Sequence, residues 1–213
     1  MQFNKIGRHF GIVSAVFFFI LTVLNVISVV EMSSYALSLG FDGLLSLLTA
    51  IVQILVYIAL GVFMIMGSRN IFVAVALFVN MGILAFTSFY NLLANFDHLN
   101  IYYLAAITID VMLIIANLLL ALLAWNEMKP WFERTPASKP LSLASTVIVS
   151  VYAGIYLAFN MLLNFNVVGW ITLVGSTSCL VVAYIFLRLW LTARGYAPFP
   201  PPTKENNFNE DLL

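Results

Sequence analysis

Charged residues are scarce in this sequence. They make up 8% of its 213 residues, whereas a soluble domain carries about 25%. A folded chain with so little charge cannot cover itself with polar surface, so most of its surface must face lipid. The basic and acidic residues also balance at nine each, and no segment is densely basic. This composition argues against nucleic acid as a partner.

Residues that carry catalysis or hold cofactors are also rare. The single cysteine, Cys179, excludes an intrachain disulfide and a multi-cysteine metal site. No lysine lies within a long apolar run, which excludes a retinal Schiff base there, and the two histidines, His9 and His98, lie outside these runs. The sequence contains no Gly-x-Ser-x-Gly, His-Glu-x-x-His, Walker or Cys-x-x-Cys motif. We therefore predict a protein that is not an enzyme and that holds neither a cofactor nor a metal.

What the sequence does contain is six long apolar runs. Each is long enough for a hydrocarbon core of roughly 30 Å, which needs about 20 helical residues. The runs are continuously apolar rather than alternating, which favours helices over barrel strands. The predicted fold is all-α, a polytopic membrane helical bundle of six transmembrane helices that pair in sequence as three helical hairpins. The predicted spans are Phe10–Val30, Leu44–Met66, Ile71–Leu93, Ile101–Trp125, Leu141–Leu163 and Val167–Thr192.

The six spans define the predicted domain organisation. Residues 1–195 form the transmembrane domain, and residues 196–213 form a tail that begins rich in proline and ends polar. Glu31–Gly43 is predicted to be the loop between the first two spans. The outer loops are short, so function must lie within the membrane, at its surfaces or in a complex.

The basic residues are confined to one side of the predicted membrane. All nine flank a span or lie near its end on that side, whereas the three connections on the other side carry Glu31, Asp42 and Asp97 and no lysine or arginine. By the positive-inside rule, both termini are predicted to be cytoplasmic. A missed span would place basic residues on both sides of the membrane, so their confinement to one side supports the count of six spans. Together with the compact loops, it favours a bacterial cytoplasmic (inner) membrane. The basic residues are Lys5, Arg8, Arg69, Lys129, Arg134, Lys139, Arg188, Arg194 and Lys204.

Asp110 is the acidic residue that lies deep in a predicted span. An aspartate at a helix centre costs about 2.5 to 3.5 kcal/mol on insertion scales, so its side chain should face protein or water. Other polar residues lie in the outer half of the membrane, and Asn117 shares the helical face of Asp110. We predict an outward-facing polar cavity that binds a small molecule and is lined by Asn25, Gln53, Asp110, Asn117 and Thr177. Alternatively, these groups hydrogen-bond neighbouring helices together, at about 0.6 kcal/mol per bond.

Two functional hypotheses follow. The first is a small-solute binding or transport subunit, which uses the polar cavity. The second is an accessory or scaffold subunit of a larger membrane complex, which would contact its partner through Trp131, Phe132 and Phe199. Both predict membrane lipids as partners, and other membrane subunits or further copies of this chain as well. Loss of ligand binding in Asp110→Asn would favour the first hypothesis, and loss of complex assembly the second.

Overall fold

A computed structural model describes residues 5–38, 40–66, 70–94, 101–128, 138–163 and 167–194. These residues form six α-helices and no strand, as the sequence predicts. Each helix includes a segment long and apolar enough to cross a membrane. The helices are α1 (Lys5–Ser38), α2 (Phe41–Ile65), α3 (Asn70–Ala94), α4 (Ile101–Met128), α5 (Ser138–Leu163) and α6 (Val167–Arg194).

The connection between α1 and α2 is shorter than the sequence predicts. The sequence predicts a loop over Glu31–Gly43, but α1 continues to Ser38 and α2 begins at Phe41. Between Glu31 and Ser38 there is no proline or glycine to end the helix. Gly40 has a φ of 67°, a conformation that glycine adopts readily and that an α-helix cannot contain. The predicted loop was therefore too long, because polar residues at the membrane edge continue the helix.

The helices form a closed ring. Each helix contacts its neighbours in sequence, and α1 also packs extensively against α6, so the last helix closes against the first. Cross-helix contacts pair residues near the start of one helix with residues near the end of the next, so neighbours run antiparallel. Examples are Ser14 with Ala183 and Thr49 with Thr87. We call the end of the bundle where α1 begins and α6 ends the terminal end.

The bundle carries apolar side chains on its outside as well as in its core. Large hydrophobic residues such as Val23, Phe86 and Val147 are exposed on its surface, as expected of a surface that faces lipid. Burial distinguishes the helices: 44% of the α4 span is buried, compared with 17% of the α5 span. Because α4 contacts α3, α5 and α6, it is the most central helix and α5 the most peripheral.

Two contacts bring α1 close to α6. The Ser14 hydroxyl donates a 2.7 Å hydrogen bond to the Ala183 carbonyl across the helix interface. One turn earlier, Gly11 lies against the fully buried Trp190 ring, and a Cβ added at Gly11 would lie 2.7 Å from Trp190 Cδ1. The absence of a side chain at Gly11 therefore permits this approach, as small residues do in membrane helix packing.

Candidate functional site

Three polar side chains from three helices meet in the middle of the bundle. Asn117 of α4 accepts two hydrogen bonds at its Oδ1, one from Asn80 Nδ2 of α3 at 3.1 Å and one from Tyr184 Oη of α6 at 2.9 Å. Asn80 Nδ2 also lies 3.5 Å from Tyr184 Oη. Asn80 and Asn117 are fully buried, and Tyr184 is nearly so. This network links helices that are up to 104 residues apart in sequence.

Aromatic rings surround this network. The buried Tyr57 of α2 has its hydroxyl beside the Asn80 side chain. Phe18 of α1 stacks on Tyr57, with ring centroids 5.7 Å apart, and packs against Tyr184 at 5.9 Å. We call Tyr57, Asn80, Asn117 and Tyr184 the central cluster. With the Phe18 ring beside it, the cluster draws on α1, α2, α3, α4 and α6.

One atom of the central cluster lacks a partner. Asn80 Oδ1 is buried, and no donor among the described residues reaches it. A buried acceptor without a donor costs about 1 to 3 kcal/mol, and native proteins satisfy the large majority of such groups. Asn117, by contrast, uses its Nδ2 to donate a 2.8 Å bond to the Leu113 carbonyl of its own helix. The cluster thus contains a buried acceptor that no donor among the described residues uses.

A second polar contact lies on the same face of α4, seven residues before Asn117. Asp110 Oδ2 accepts a 2.8 Å hydrogen bond from the Ser88 hydroxyl of α3. We call these two residues the Asp110 pair. Seven residues of helix correspond to about 10.5 Å, and the pair lies farther from the terminal end than the central cluster. Ser88 is buried and Asp110 is half-buried.

Tyrosines of α5 border the space between these two sites. Tyr152 and Tyr156 stack with their ring planes 10° apart and centroids 5.6 Å apart. Both lie within electrostatic range of Asp110, and Tyr152 also lies within range of Tyr57. We call the Asp110 pair, these two tyrosines and the central cluster the polar region.

The structure assigns the five predicted cavity residues to different surroundings. Asp110 and Asn117 lie in the polar region. Thr177 is buried, and its hydroxyl donates to the Leu173 carbonyl of its own helix at 2.8 Å. Asn25 and Gln53 are half-buried, and no hydrogen bond among the described residues joins either of them to the central cluster. The predicted partner-binding residues Trp131, Phe132 and Phe199, and the tail at 196–213, lie outside the described residues.

Sequence reasoning missed six members of the polar region, namely Tyr57, Asn80, Ser88, Tyr152, Tyr156 and Tyr184. Asn80 carried a usable signal, because it is an amide near the middle of a predicted span, as Asn117 is. The tyrosines did not, because a tyrosine within an apolar run fits a lipid-facing or a core position equally well. Nothing in the sequence distinguishes Ser88 from other serines, because its contact with Asp110 depends on how α3 packs against α4.

The fold defines the class of this protein: it is a polytopic integral membrane protein, whose described residues form six apolar helices. Comparison of the chain with protein-family models, with curated proteins and with solved structures gave no match. Within the part of the chain that the structure describes, no group of three His, Cys, Asp or Glu side chains is placed to hold a metal ion. The candidate site therefore rests on its carboxylate, amide, hydroxyl and phenol groups.

Proposed function

We propose that this protein is a non-enzymatic membrane subunit that binds a small solute within the bundle, as a binding or transport component. The observation that carries the proposal is the central cluster, where an interhelical network of amides and phenols leaves Asn80 Oδ1 without a donor among the described residues. A network that served only to join helices would gain nothing from an unused buried acceptor.

The chemistry of the polar region indicates the class of solute. The region offers acceptors, namely the Asp110 carboxylate and Asn80 Oδ1. It also offers the faces of tyrosine rings, which attract cations. A small solute that donates hydrogen bonds, such as an amine or an ammonium ion, complements these groups. We therefore propose an amine-type solute that first contacts the Asp110 pair and then reaches the central cluster.

The direction of entry follows from the depth of these residues. Because the Asp110 pair lies far from the terminal end, the solute enters from the opposite end of the bundle. The positive-inside rule places the basic terminal end in the cytoplasm, so the site opens outward. The charge bias favours the bacterial inner membrane as the location.

Thermal unfolding of the detergent-purified protein tests this function. We expect methylammonium to raise the unfolding midpoint, whereas tetramethylammonium, which carries the charge but no N–H donor, has little effect. Asp110→Asn keeps the size of the side chain and an acceptor for Ser88 but removes the charge. We expect it to weaken methylammonium binding by about tenfold or more, since bonds to charged groups contribute about 1.5 to 3 kcal/mol.

A matched control uses another hydroxyl contact between helices. Thr49 and Thr87 join α2 to α3 through a 2.9 Å bond outside the polar region. Thr49→Val should leave the response to methylammonium unchanged. Equal responses to the two cations, or a full response in Asp110→Asn, would refute the proposed amine site. Native mass spectrometry of the gently extracted protein would then identify any other small molecule that it retains.

The same native mass spectra address the alternative of an accessory or scaffold subunit. Companion subunits that remain bound to wild type and to Asp110→Asn alike, with no small molecule present, would favour that role. Loss of these companions on substitution of Trp131, Phe132 or Phe199 would assign the partner-binding surface. Lipids and copies of this chain are the further partners that we propose.

A further inference from the structure

Arg188 is a charged residue set back from the end of its helix. It lies five residues before Ala193, where the α6 span ends, which corresponds to about 7.5 Å along the helix. A guanidinium stays protonated in proteins. Charged side chains inside membranes pair with other charges or with polar groups, because a bare charge is costly in hydrocarbon. Arg188 therefore needs partners at this depth.

The partners that the structure provides satisfy only part of the guanidinium. Arg188 Nη1 donates a 2.6 Å hydrogen bond to the Thr146 hydroxyl of α5. That hydroxyl in turn donates to the Ser142 carbonyl at 3.1 Å. The Thr146 hydroxyl is therefore fixed by two hydrogen bonds, one accepted and one donated. Arg188 Nε is buried and reaches no acceptor within the described helices. Among the described residues, no carboxylate forms an ion pair with Arg188.

Arg188 lies at the edge of a cleft between α4, α5 and α6. The cleft is narrow, and no part of it is wide enough for a water molecule. Arg188 follows Tyr184 by one helical turn and bonds to Thr146, and both of those residues line the cleft. Water does not fit inside the cleft, so a partner for the unpaired edge of the guanidinium would have to approach from outside it. The lining residues are Leu120, Ser145, Thr146, Val149, Tyr184 and Ile185.

The charge around this cleft favours an anion. Arg8 and Lys139 are exposed at the same, terminal end of the bundle. Lys139 is seven residues before Thr146 and shares its helical face. Exposed cations raise the local concentration of anions. A phosphate group carries two oxygens that match the edge of a guanidinium, and arginine recognises phosphate in this bidentate way.

We propose that Arg188 and Thr146 bind a phosphate group at the mouth of the α4–α5–α6 cleft, independently of the proposed amine site. Nη1 remains on Thr146, and the partly exposed guanidinium shifts so that its buried Nε edge opens to the phosphate oxygens. The phosphate belongs either to the headgroup of an anionic lipid or to free phosphate. The depth of Arg188, about a turn and a half inside the end of the span, suits a headgroup that the side chain reaches from within the bundle.

Lipid and phosphate titrations of the detergent-purified full chain test this site. Phosphatidylglycerol and inorganic phosphate are added separately, with phosphatidylcholine as the zwitterionic reference, and the thermal unfolding midpoint is followed. We expect an anionic phosphate probe to stabilise wild type, and Arg188→Gln to weaken its apparent affinity by about tenfold or more, as loss of a charge-assisted pair implies. Arg8→Gln removes an exposed arginine at the same end, which acts only through the long-range potential, so it should weaken the affinity much less than Arg188→Gln does.

The probes also distinguish the source of the phosphate. Stabilisation by phosphatidylglycerol alone supports a lipid headgroup, and stabilisation by inorganic phosphate supports the free ion. If Arg188→Gln does not fold, Arg188→Lys replaces it, because lysine keeps the charge but loses the bidentate edge. The proposal is overturned if neither probe stabilises wild type, or if the Arg188 variant responds with the affinity of wild type.

Discussion

Asn117 shows how a single residue can define the interior of a membrane protein. Its Oδ1 accepts bonds from two other helices, and its Nδ2 bonds to its own helix. Hydrogen bonds between membrane helices contribute about 0.6 kcal/mol on average. Leaving a buried donor without a partner costs more, about 1 to 3 kcal/mol. The two asparagines of the central cluster should therefore respond differently to substitution.

We expect Asn117→Leu to lower the free energy of unfolding by about 1 to 3 kcal/mol, because it leaves donors of both Asn80 and Tyr184 unpartnered. Asn80→Leu should cost less, because it also removes the acceptor that has no donor. Unfolding in mixed micelles of increasing dodecyl sulfate content, followed by circular dichroism, measures both values. Equal losses in the two variants would contradict the assignment of Asn117 as the centre of the network.

Helices α1 and α6 pack closely at Gly11. Among the described glycines, an added Cβ would come nearest to another side chain at this position. Gly11 faces Trp190, and a bond from Ser14 to the Ala183 carbonyl holds the helices together one turn further along. At Gly82 in α3, by contrast, an added Cβ would meet no side chain and no neighbouring helix within 4 Å. Both glycines lie within a helix, but only Gly11 packs closely against another helix. Gly82 is therefore the matched control for Gly11.

We expect Gly11→Ala to destabilise the protein by about 1 to 3 kcal/mol, as overpacking of an interior does. Gly82→Ala should be neutral or slightly stabilising, because alanine favours the helix over glycine by up to about 1 kcal/mol. The same unfolding measurement applies to both. If Trp190→Phe restores stability to Gly11→Ala, the Trp190 ring is the source of the clash; similar losses in the two alanine variants would speak against close packing at Gly11.

At the scale of the whole molecule, the ring of six antiparallel helices places both ends of the described chain at one end of the bundle. The described basic side chains Arg8, Lys139 and Arg188 lie toward that end, and Glu31 lies at the other. The even number of spans and the charge distribution therefore agree. Together, the number of spans and the charge distribution predict which residues a membrane-impermeant label can modify from each side of the membrane.

We expect labels at Lys139 and Glu31 to be accessible from opposite sides. In a Cys179→Ser background, Lys139→Cys should react with a membrane-impermeant maleimide only in inverted vesicles, because the positive-inside rule places it in the cytoplasm. Glu31→Cys should react only in intact cells or spheroplasts. Reaction of both sites from the same side would contradict the six-span topology, and exchange of the two sides would contradict the orientation alone.

Hydropathy along the chain is enough to predict the helices, because membrane insertion depends on the apolar character of a continuous segment, which is a local property. The described residues have the predicted all-helical fold, with six helices long and apolar enough to cross a membrane, and Asp110 lies half-buried against Ser88. The extent of α1 was missed, since polar residues at a membrane edge suit a helix as well as a loop.

Which polar groups meet is a property of the packed bundle. Contacts such as Asn80 with Tyr184, or Arg188 with Thr146, depend on the rotation of each helix about its axis and on its neighbours in the ring. Every face of these helices is apolar enough for lipid, so the sequence pattern does not specify that rotation. It is set by the packing of several helices at once, including the close approach at Gly11, and this explains why Asn117 and Asp110 could be predicted while most of their partners could not.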